Sequence, residues 1–153
     1  MKLWLLRHGA AEPYQIKDSE RKLTEQGRAQ VVQAADFLRD VHFDRVLCSP
    51  YVRARQTAEL LSSTLQCLGV IEIVPWLTPE EDVREVVRKL DSYPVGNLLI
   101  VAHQPLLGLL ASWLMHGECQ YGLSMDTASV ACLEGDFIGA GLMDLRALQH
   151  VQD

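Results

Sequence analysis

The chain has 153 residues, of which 48% are hydrophobic and 22% charged, and its formal net charge is −6 at pH 7. This length and composition are typical of one globular domain with its own core, so we expect residues 1–153 to form a single domain. The negative charge argues against nucleic acid or an anionic membrane as a partner, and no apolar run is long enough for a signal peptide or a membrane span.

The first third of the chain predicts two strands, each followed by a helix. Apolar runs at 2–6 and 45–48 are typical of buried strands. Thr24 is a suitable N-cap for a helix that continues to about Arg39, with Glu25 favourable at its positive end. Ser49-Pro50 supplies a cap and a first-turn proline for the next helix.

The same pattern continues in the middle of the chain. Apolar runs at 70–74 and 97–102 predict two further buried strands. Thr78-Pro79-Glu80-Glu81 is typical of a capping box with proline at the first helical position. The helix after the fourth strand is expected to begin near Pro105 and to bury Leu106, Leu109, Leu110 and Trp113.

The last third predicts an antiparallel pair. Residues 129–133 form one strand of it, Glu134-Gly135-Asp136 the turn, and the return strand runs from Phe137 onward. Strands that alternate with helices indicate a mainly parallel sheet covered on both faces. We therefore expect a three-layer α/β/α fold whose central sheet is mainly parallel, with an antiparallel C-terminal edge.

Ligands of such sheets bind beyond the carboxyl ends of the strands. The side chains expected there come from four segments that are far apart in sequence: Arg7 and His8 after the first strand, Ser49 and Arg53 after the second, Glu80 and Asp82 after the third, and His103 after the fourth. Two histidines, two arginines and a carboxylate cluster are thus predicted to meet at one rim.

These residue types are suited to a phosphoryl group. Arginine offers a fixed fork of donors that matches phosphate oxygens, and Arg53 lies near a helix N-terminus, where an anion is favoured. A neutral histidine can act as a nucleophile. The four cysteines show neither C-x-x-C pairing nor zinc spacing, which favours reduced thiols, a cytoplasmic location and a reaction without a metal or other cofactor.

Four motifs resemble those of one family, and they occur in that family's order. They are Leu6-Arg7-His8-Gly9, the stretch 21–27 (RKLTEQG), the stretch 49–58 (SPYVRARQTA) and Val101-Ala102-His103. Together they are similar to the histidine phosphatase superfamily, the phosphoglycerate mutase-like proteins, from residue 1 to about residue 133. The short chain and the Leu77-Thr78-Pro79 stretch most resemble the bacterial protein phosphohistidine phosphatases within it.

The resemblance implies roles for individual residues. His8 would attack phosphorus and become a transient phosphohistidine, Arg7 and Arg53 would clamp the phosphoryl oxygens, and His103 would donate a hydrogen bond to the same group. Gly9, Arg21 and Ser49 are expected to line the substrate site. Arg21 is equally well explained by an ion pair with Asp18 or Glu20, and Ser49 by a helix cap.

One departure from the family pattern bears on the substrate. Members that act on phosphate esters usually carry a carboxylic general acid shortly after the third strand, and Pro79 occupies that position here, with Glu80 and Asp82 nearby as candidate acids. An alkoxide leaving group needs a proton, whereas the imidazole of a phosphohistidine leaves more easily. The short connections 9–24 and 74–97 also leave little room for a lid.

We therefore predict a metal-independent phosphohistidine phosphatase that acts on a histidine-containing phosphotransfer or phosphorelay protein, without nucleic acid or membrane as a partner. Two alternatives stay open. One is a phosphatase of a small phosphate ester that uses Glu80 or Asp82 as its acid. The other is a non-catalytic module that binds phosphoproteins, although the arginines alone would serve phosphate binding and His8 would not be needed.

Overall fold

The computed structural model describes residues 1–13, 17–66, 68–93 and 96–152. Six strands form one sheet: Lys2–Arg7 (β1), Arg45–Cys48 (β2), Ile71–Ile73 (β3), Asn97–Ala102 (β4), Val130–Glu134 (β5) and Asp144–Gln149 (β6). Four α-helices connect them: Glu25–Leu38 (α1), Val52–Leu65 (α2), Val83–Leu90 (α3) and Leu106–His116 (α4). Within the described residues, no helix has the length and apolar character needed to cross a membrane.

The strands lie in the spatial order β3-β2-β4-β1-β5-β6. β1, β2, β3 and β4 pair in parallel, whereas β5 pairs with β1 and with β6 in antiparallel fashion. The carboxyl ends of the first four strands therefore open at one edge of the sheet. This confirms the predicted mainly parallel sheet with an antiparallel C-terminal edge.

Helices cover both faces of the sheet. Successive side chains of a strand point to opposite faces, so each central strand packs against helices on both sides. In β1, Leu3 and Leu5 are fully buried in a cluster with α3 and α4, whereas Leu6 is fully buried in a second cluster with α1 and α2. The three-layer arrangement predicted from the sequence is therefore confirmed.

The predicted start of α1 is confirmed, but those of α2 and α3 are wrong. The Thr24 hydroxyl accepts a hydrogen bond from the Gly27 N–H at 3.0 Å, as a cap does. Ser49 does not cap α2, since its hydroxyl bonds to His103 and Tyr51 is the N-cap. Thr78 donates to the carboxylate of Glu81 instead of capping, and α3 begins at Val83, four residues after the predicted first helical position Pro79, with Asp82 as its N-cap.

The remaining predictions are confirmed in part. Helix α4 follows Pro105 as expected, and buries Leu106 and Leu110 fully, while Leu109 and Trp113 are only half-buried. The antiparallel pair is present, but the tight turn at 134–136 is wrong, because β6 begins at Asp144. Between β5 and β6 the chain buries Ile138 and Met143 in the core, and this burial outweighs the preference of residues 134–136 for a tight turn.

Candidate active site

The rim formed by β1, β4 and β2 collects the chemically important side chains. β4 lies between β1 and β2 in the sheet, so the residues that follow these three strands are neighbours in space. His8 follows β1, Ser49 follows β2 and His103 follows β4, while Arg53 projects from the first turn of α2. The structure thus brings together four of the predicted catalytic and substrate-contact positions, with Arg7 at the end of β1.

His8 is held with one ring nitrogen free of a proton. Its Nδ1 lies 2.7 Å from the Gly9 carbonyl oxygen, which can only accept, so Nδ1 carries the proton. Its Nε2 accepts a hydrogen bond from the Arg53 Nε–H at 3.2 Å. Burial, together with the charges of Arg53, Arg7 and Arg21, lowers the pKa of His8 to about 3, although the bond to Gly9 opposes this shift. His8 is therefore neutral near pH 7, with an unprotonated Nε2 whose lone pair faces Arg53.

Arg53 is almost entirely buried and is anchored by Asp18, which comes from a short 3₁₀ turn. The two Nη atoms donate to the Asp18 carbonyl oxygen at 2.7 Å and to its carboxylate at 3.1 Å. These contacts occupy the end of the guanidinium fork, while Nε points at His8. Burial opposes ionisation of Asp18, but hydrogen bonds from Arg21 and Arg53 outweigh it and hold the pKa of this carboxyl below its ordinary value.

Arg7 is held by residues of the segment that precedes the antiparallel strand β5. One Nη donates to the carbonyl oxygen of Met125 at 2.8 Å, and the Arg7 N–H bonds to the carbonyl of Ser129. Its Nε is buried and has no hydrogen-bond partner among the described residues. Burial lowers the pKa of Arg7, which the charge of Asp126 partly offsets. An arginine remains charged here, so a buried donor is available for an anion.

His103 lies opposite His8, with the two ring centroids 5.2 Å apart. It is fully buried, and its Nε2 lies 2.7 Å from the Ser49 hydroxyl oxygen. Its Nδ1 is buried and lacks a hydrogen-bond partner among the described residues. Burial and the nearby His8 and Arg53 lower the pKa of His103 to about 2, so this ring is also neutral.

Gly9 has a packing reason to be glycine. A Cβ on Gly9 would lie 2.5 Å from the carbonyl oxygen of Gly27 in α1. The Gly9 N–H also bonds to the hydroxyl of Thr57 in α2. The missing side chain therefore lets the loop after β1 pack against α1, and this close packing sets the carbonyl that orients His8.

Arg21, another predicted site residue, contacts this group through Asp18. Arg21 donates to the Glu12 carbonyl oxygen at 2.6 Å and to the Asp18 carboxylate at 2.9 Å, so it joins the site through Asp18. The ion pair with Asp18, one of its two predicted partners, is present. Sequence reasoning treated Asp18 only as that partner, and no local pattern signals its contact with Arg53, 35 positions away.

The two candidate acids do not join the group. Glu80 is exposed, and the Asp82 carboxylate accepts the Arg84 N–H as the N-cap of α3. Neither makes a hydrogen bond or ion pair with His8 or His103 in the described part of the chain. Asp82 instead lines a cavity together with Leu109 and Trp113 of α4, and neither His8 nor His103 belongs to the lining of that cavity.

The assembled group can bind and attack an electrophilic phosphoryl centre. It offers a neutral imidazole whose Nε2 is unprotonated and faces the buried Arg53. Beside it lies the half-buried Arg7, whose buried Nε has no hydrogen-bond partner among the described residues. A tetrahedral oxyanion between them would accept hydrogen bonds in a dry environment, where such bonds are strong. No cluster of three metal-ligating side chains occurs within the residues that the structure describes.

Comparison with known proteins gives a consistent result. Residues 3–78 match the model of the histidine phosphatase superfamily, branch 1. Phosphohistidine phosphatase SixA of Escherichia coli (strain K12) is 36% identical over 123 residues, covering 77% of this chain and 76% of the relative. Adenosylcobalamin/alpha-ribazole phosphatase of Salmonella typhimurium is 43% identical over 161 residues, covering 75% and 80% respectively.

A solved structure of the protein histidine phosphatase SixA complexed with tungstate is similar over 98% of this chain and 97% of that chain, with a TM-score of 0.87 and 31% identity. The sequence likeness, the shared fold and the family model all agree. The chain belongs to the histidine phosphatase superfamily and is an enzyme of the phosphatase class with a histidine nucleophile.

Proposed function

We propose that this protein is a phosphohistidine phosphatase that removes phosphate from a histidine of a phosphotransfer or phosphorelay protein, with His8 as its nucleophile. The observation that carries this proposal is the state of His8. Its Nδ1–H is committed to the Gly9 carbonyl, and its Nε2 lone pair faces a buried arginine. Nucleophilic attack on phosphorus requires such a neutral, oriented imidazole.

The reaction proceeds in two transfers. Arg7 and Arg53 hold the phosphoryl oxygens, and His103 donates to one of them as charge shifts in the transition state. The Nε2 lone pair of His8 forms a bond to phosphorus as the bond between phosphorus and the substrate imidazole breaks, and the electron pair of that bond stays on the imidazole. Water then attacks phosphorus, the bond to His8 breaks, and inorganic phosphate leaves with the proton lost to solvent.

The surroundings of the site favour a P–N bond over a P–O bond. Asp18 is the carboxylate that contacts Arg53, and its lowered pKa keeps it ionised and unsuited to donate a proton. Glu80 and Asp82 follow the edge strand. A protonated imidazole leaves phosphorus without a dedicated acid, whereas an alkoxide does not. The likeness to two kinds of phosphatase keeps a second candidate open, a small phosphate ester as substrate.

A substrate comparison tests the proposal. The purified protein is assayed with a phosphohistidine-bearing phosphotransfer protein, an aryl phosphate and an alkyl phosphate, and the phosphohistidine protein is expected to give the highest kcat/KM. Higher activity on the alkyl ester, abolished by Glu80→Gln or Asp82→Asn, would instead support the ester phosphatase. Tight binding of the phosphoprotein without turnover would support the binding module.

Trapping the covalent intermediate tests the nucleophile. Rapid quenching with a labelled phosphodonor is expected to give an acid-labile, alkali-stable adduct in the wild type and none in His8→Ala. His42→Ala is the matched control, because His42 is an exposed histidine that precedes β2, whereas the rim residue Ser49 follows that strand. An undiminished adduct in His8→Ala would exclude His8 as the nucleophile.

A further inference from the structure

The hydroxyl of Ser49 lies in a fully enclosed position beside His103. Ser49 has no exposed surface, and its N–H bonds to the Val101 carbonyl, which fixes it against β4. Its oxygen lies 2.7 Å from His103 Nε2 and accepts the Tyr51 N–H at 3.3 Å. Sequence reasoning gave Ser49 the role of a helix cap or a direct substrate contact, and these bonds suggest a different one.

The positions of the protons depend on which groups can donate. The Tyr51 N–H is a donor, so it uses a lone pair of the Ser49 oxygen. The hydroxyl has one proton, and among the described residues its available acceptor is His103 Nε2. The reverse arrangement, with Nε2–H donating to Ser49, would leave the hydroxyl proton in a dry interior without an acceptor, which is unfavourable. Ser49 therefore donates and Nε2 accepts.

The other ring nitrogen of His103 then carries the proton. A neutral imidazole has one N–H, so a ring that accepts at Nε2 must donate at Nδ1. Among the described residues, Nδ1 is buried without a protein partner, and the same holds for Nε of Arg7. Two unpartnered donors thus accompany the neutral His8, and a phosphoryl group bound there would satisfy both.

We infer that Ser49 is a positioning residue, which fixes His103 in the tautomer protonated at Nδ1 and so presents that N–H to a phosphoryl oxygen. The tautomer is set by contacts within this chain alone. The identity of the accepting oxygen rests on the proposed function. Ser49 acts on the reaction through His103 and does not contact the substrate itself.

Nitrogen NMR of the protein labelled with ¹⁵N-histidine tests the tautomer directly. The His103 resonances are assigned as those missing from His103→Gln. In the wild type near pH 7.5, Nδ1 is expected at the shift of a protonated nitrogen and Nε2 at that of an unprotonated one. The opposite assignment overturns the inference. In Ser49→Ala this preference is expected to be lost, and an unchanged tautomer there also overturns it.

Kinetics provide the second readout. Ser49→Ala is expected to lower kcat by about 10-fold to 100-fold, less than the loss of a whole oxyanion donor, and Ser49→Thr, which keeps the hydroxyl, to recover part of it. Ser112→Ala is the matched control, since Ser112 is also buried and its hydroxyl donates to the Glu118 carbonyl. Equal kcat in Ser49→Ala and Ser112→Ala contradicts the inference.

The two proposals fail in different ways. A wild-type protein that turns over phosphohistidine but carries its His103 proton on Nε2 refutes the role of Ser49 and leaves the proposed function standing. A protein with the proton on Nδ1 of His103 and no phosphatase activity on any tested substrate refutes the proposed function and leaves the role of Ser49 in setting the tautomer standing. Adding inorganic phosphate is expected to shift the His103 Nδ1 resonance in the wild type and to shift it less in Ser49→Ala.

Discussion

Acidification is expected to destabilise the protein well above the pH at which carboxylates titrate. His8 and His103 are buried as neutral rings, and burial and neighbouring charges lower their pKa values to about 3 and about 2. In the unfolded chain a histidine titrates near pH 6.5. Between these limits the unfolded state binds more protons than the folded state, so stability is present above pH 6.5 and is lost as pH falls.

The size of this loss can be worked out from the same values. At pH 5.5 an unfolded histidine is mostly protonated while both buried rings are still neutral in the folded state. The free energy of unfolding is therefore expected to fall by about 3 kcal/mol between pH 7.5 and pH 5.5 for the two histidines together. Asp18 also has a lowered pKa, but its contribution is lost only below its ordinary value near pH 3.8, outside this window.

Urea unfolding at pH 7.5, 6.5 and 5.5 measures the effect. His8→Gln and His103→Gln are each expected to reduce the pH dependence by about half, because each removes one titrating group. Ser112→Ala is the control, since it changes a buried hydrogen bond without removing a titratable group and is expected to keep the wild-type pH dependence. Equal stability of the wild type at pH 7.5 and pH 5.5 would refute the reasoning.

Three further outcomes are expected. Gly9→Ala should lower the free energy of unfolding by about 1–3 kcal/mol in urea denaturation, because its Cβ would lie 2.5 Å from the Gly27 carbonyl oxygen. Arg53→Lys should lower kcat/KM by about 100-fold in steady-state assays, since an ammonium keeps the charge but loses the donor to His8 and the fork held by Asp18. Chelators such as EDTA should leave kcat unchanged, because the proposed reaction uses no metal.

The Arg53 prediction has a matched control, and each of the three has a result that would contradict it. Arg55→Lys changes an exposed arginine of the same helix and is expected to leave kcat/KM as in the wild type. A fully active Arg53→Lys protein would contradict the role of the buried fork. A Gly9→Ala protein as stable as the wild type would show that α1 moves aside at no cost. Loss of activity in EDTA that added divalent metal restores would show that a metal takes part.

The sequence predicts the fold and much of the rim because both depend on strongly local patterns. Buried strands are marked by short apolar runs, and the residues directly after each strand must lie at its carboxyl end. His8 and His103 could thus be placed at one rim from the strand assignments alone. Their proximity depends further on β1 and β4 being neighbours in the sheet, which is a tertiary fact.

The bonding partners of hydroxyl groups could not be predicted from local sequence patterns. Ser49 and Thr78 both carry good capping signals, yet each hydroxyl bonds to another side chain, and the helices begin later. A capping bond is worth about 1 kcal/mol, so a tertiary partner of similar strength can displace it. The contact of Asp18 with Arg53 is equally invisible in the sequence, because it depends on how a 3₁₀ turn packs against α2.

The positions of the carboxylates determine which leaving group the site can serve. In sequence, Glu80 and Asp82 follow a strand just as His8 and His103 do, so a rim drawn from strand order includes them. In space, Asp82 lines a cavity with residues of α4, and the carboxylate that does reach Arg53 is Asp18. The bonds that anchor Arg53 also hold Asp18 ionised, so this residue cannot both position the arginine and protonate an alkoxide. A substrate whose leaving group arrives already protonated removes this conflict, and a phosphorylated imidazolium has that property.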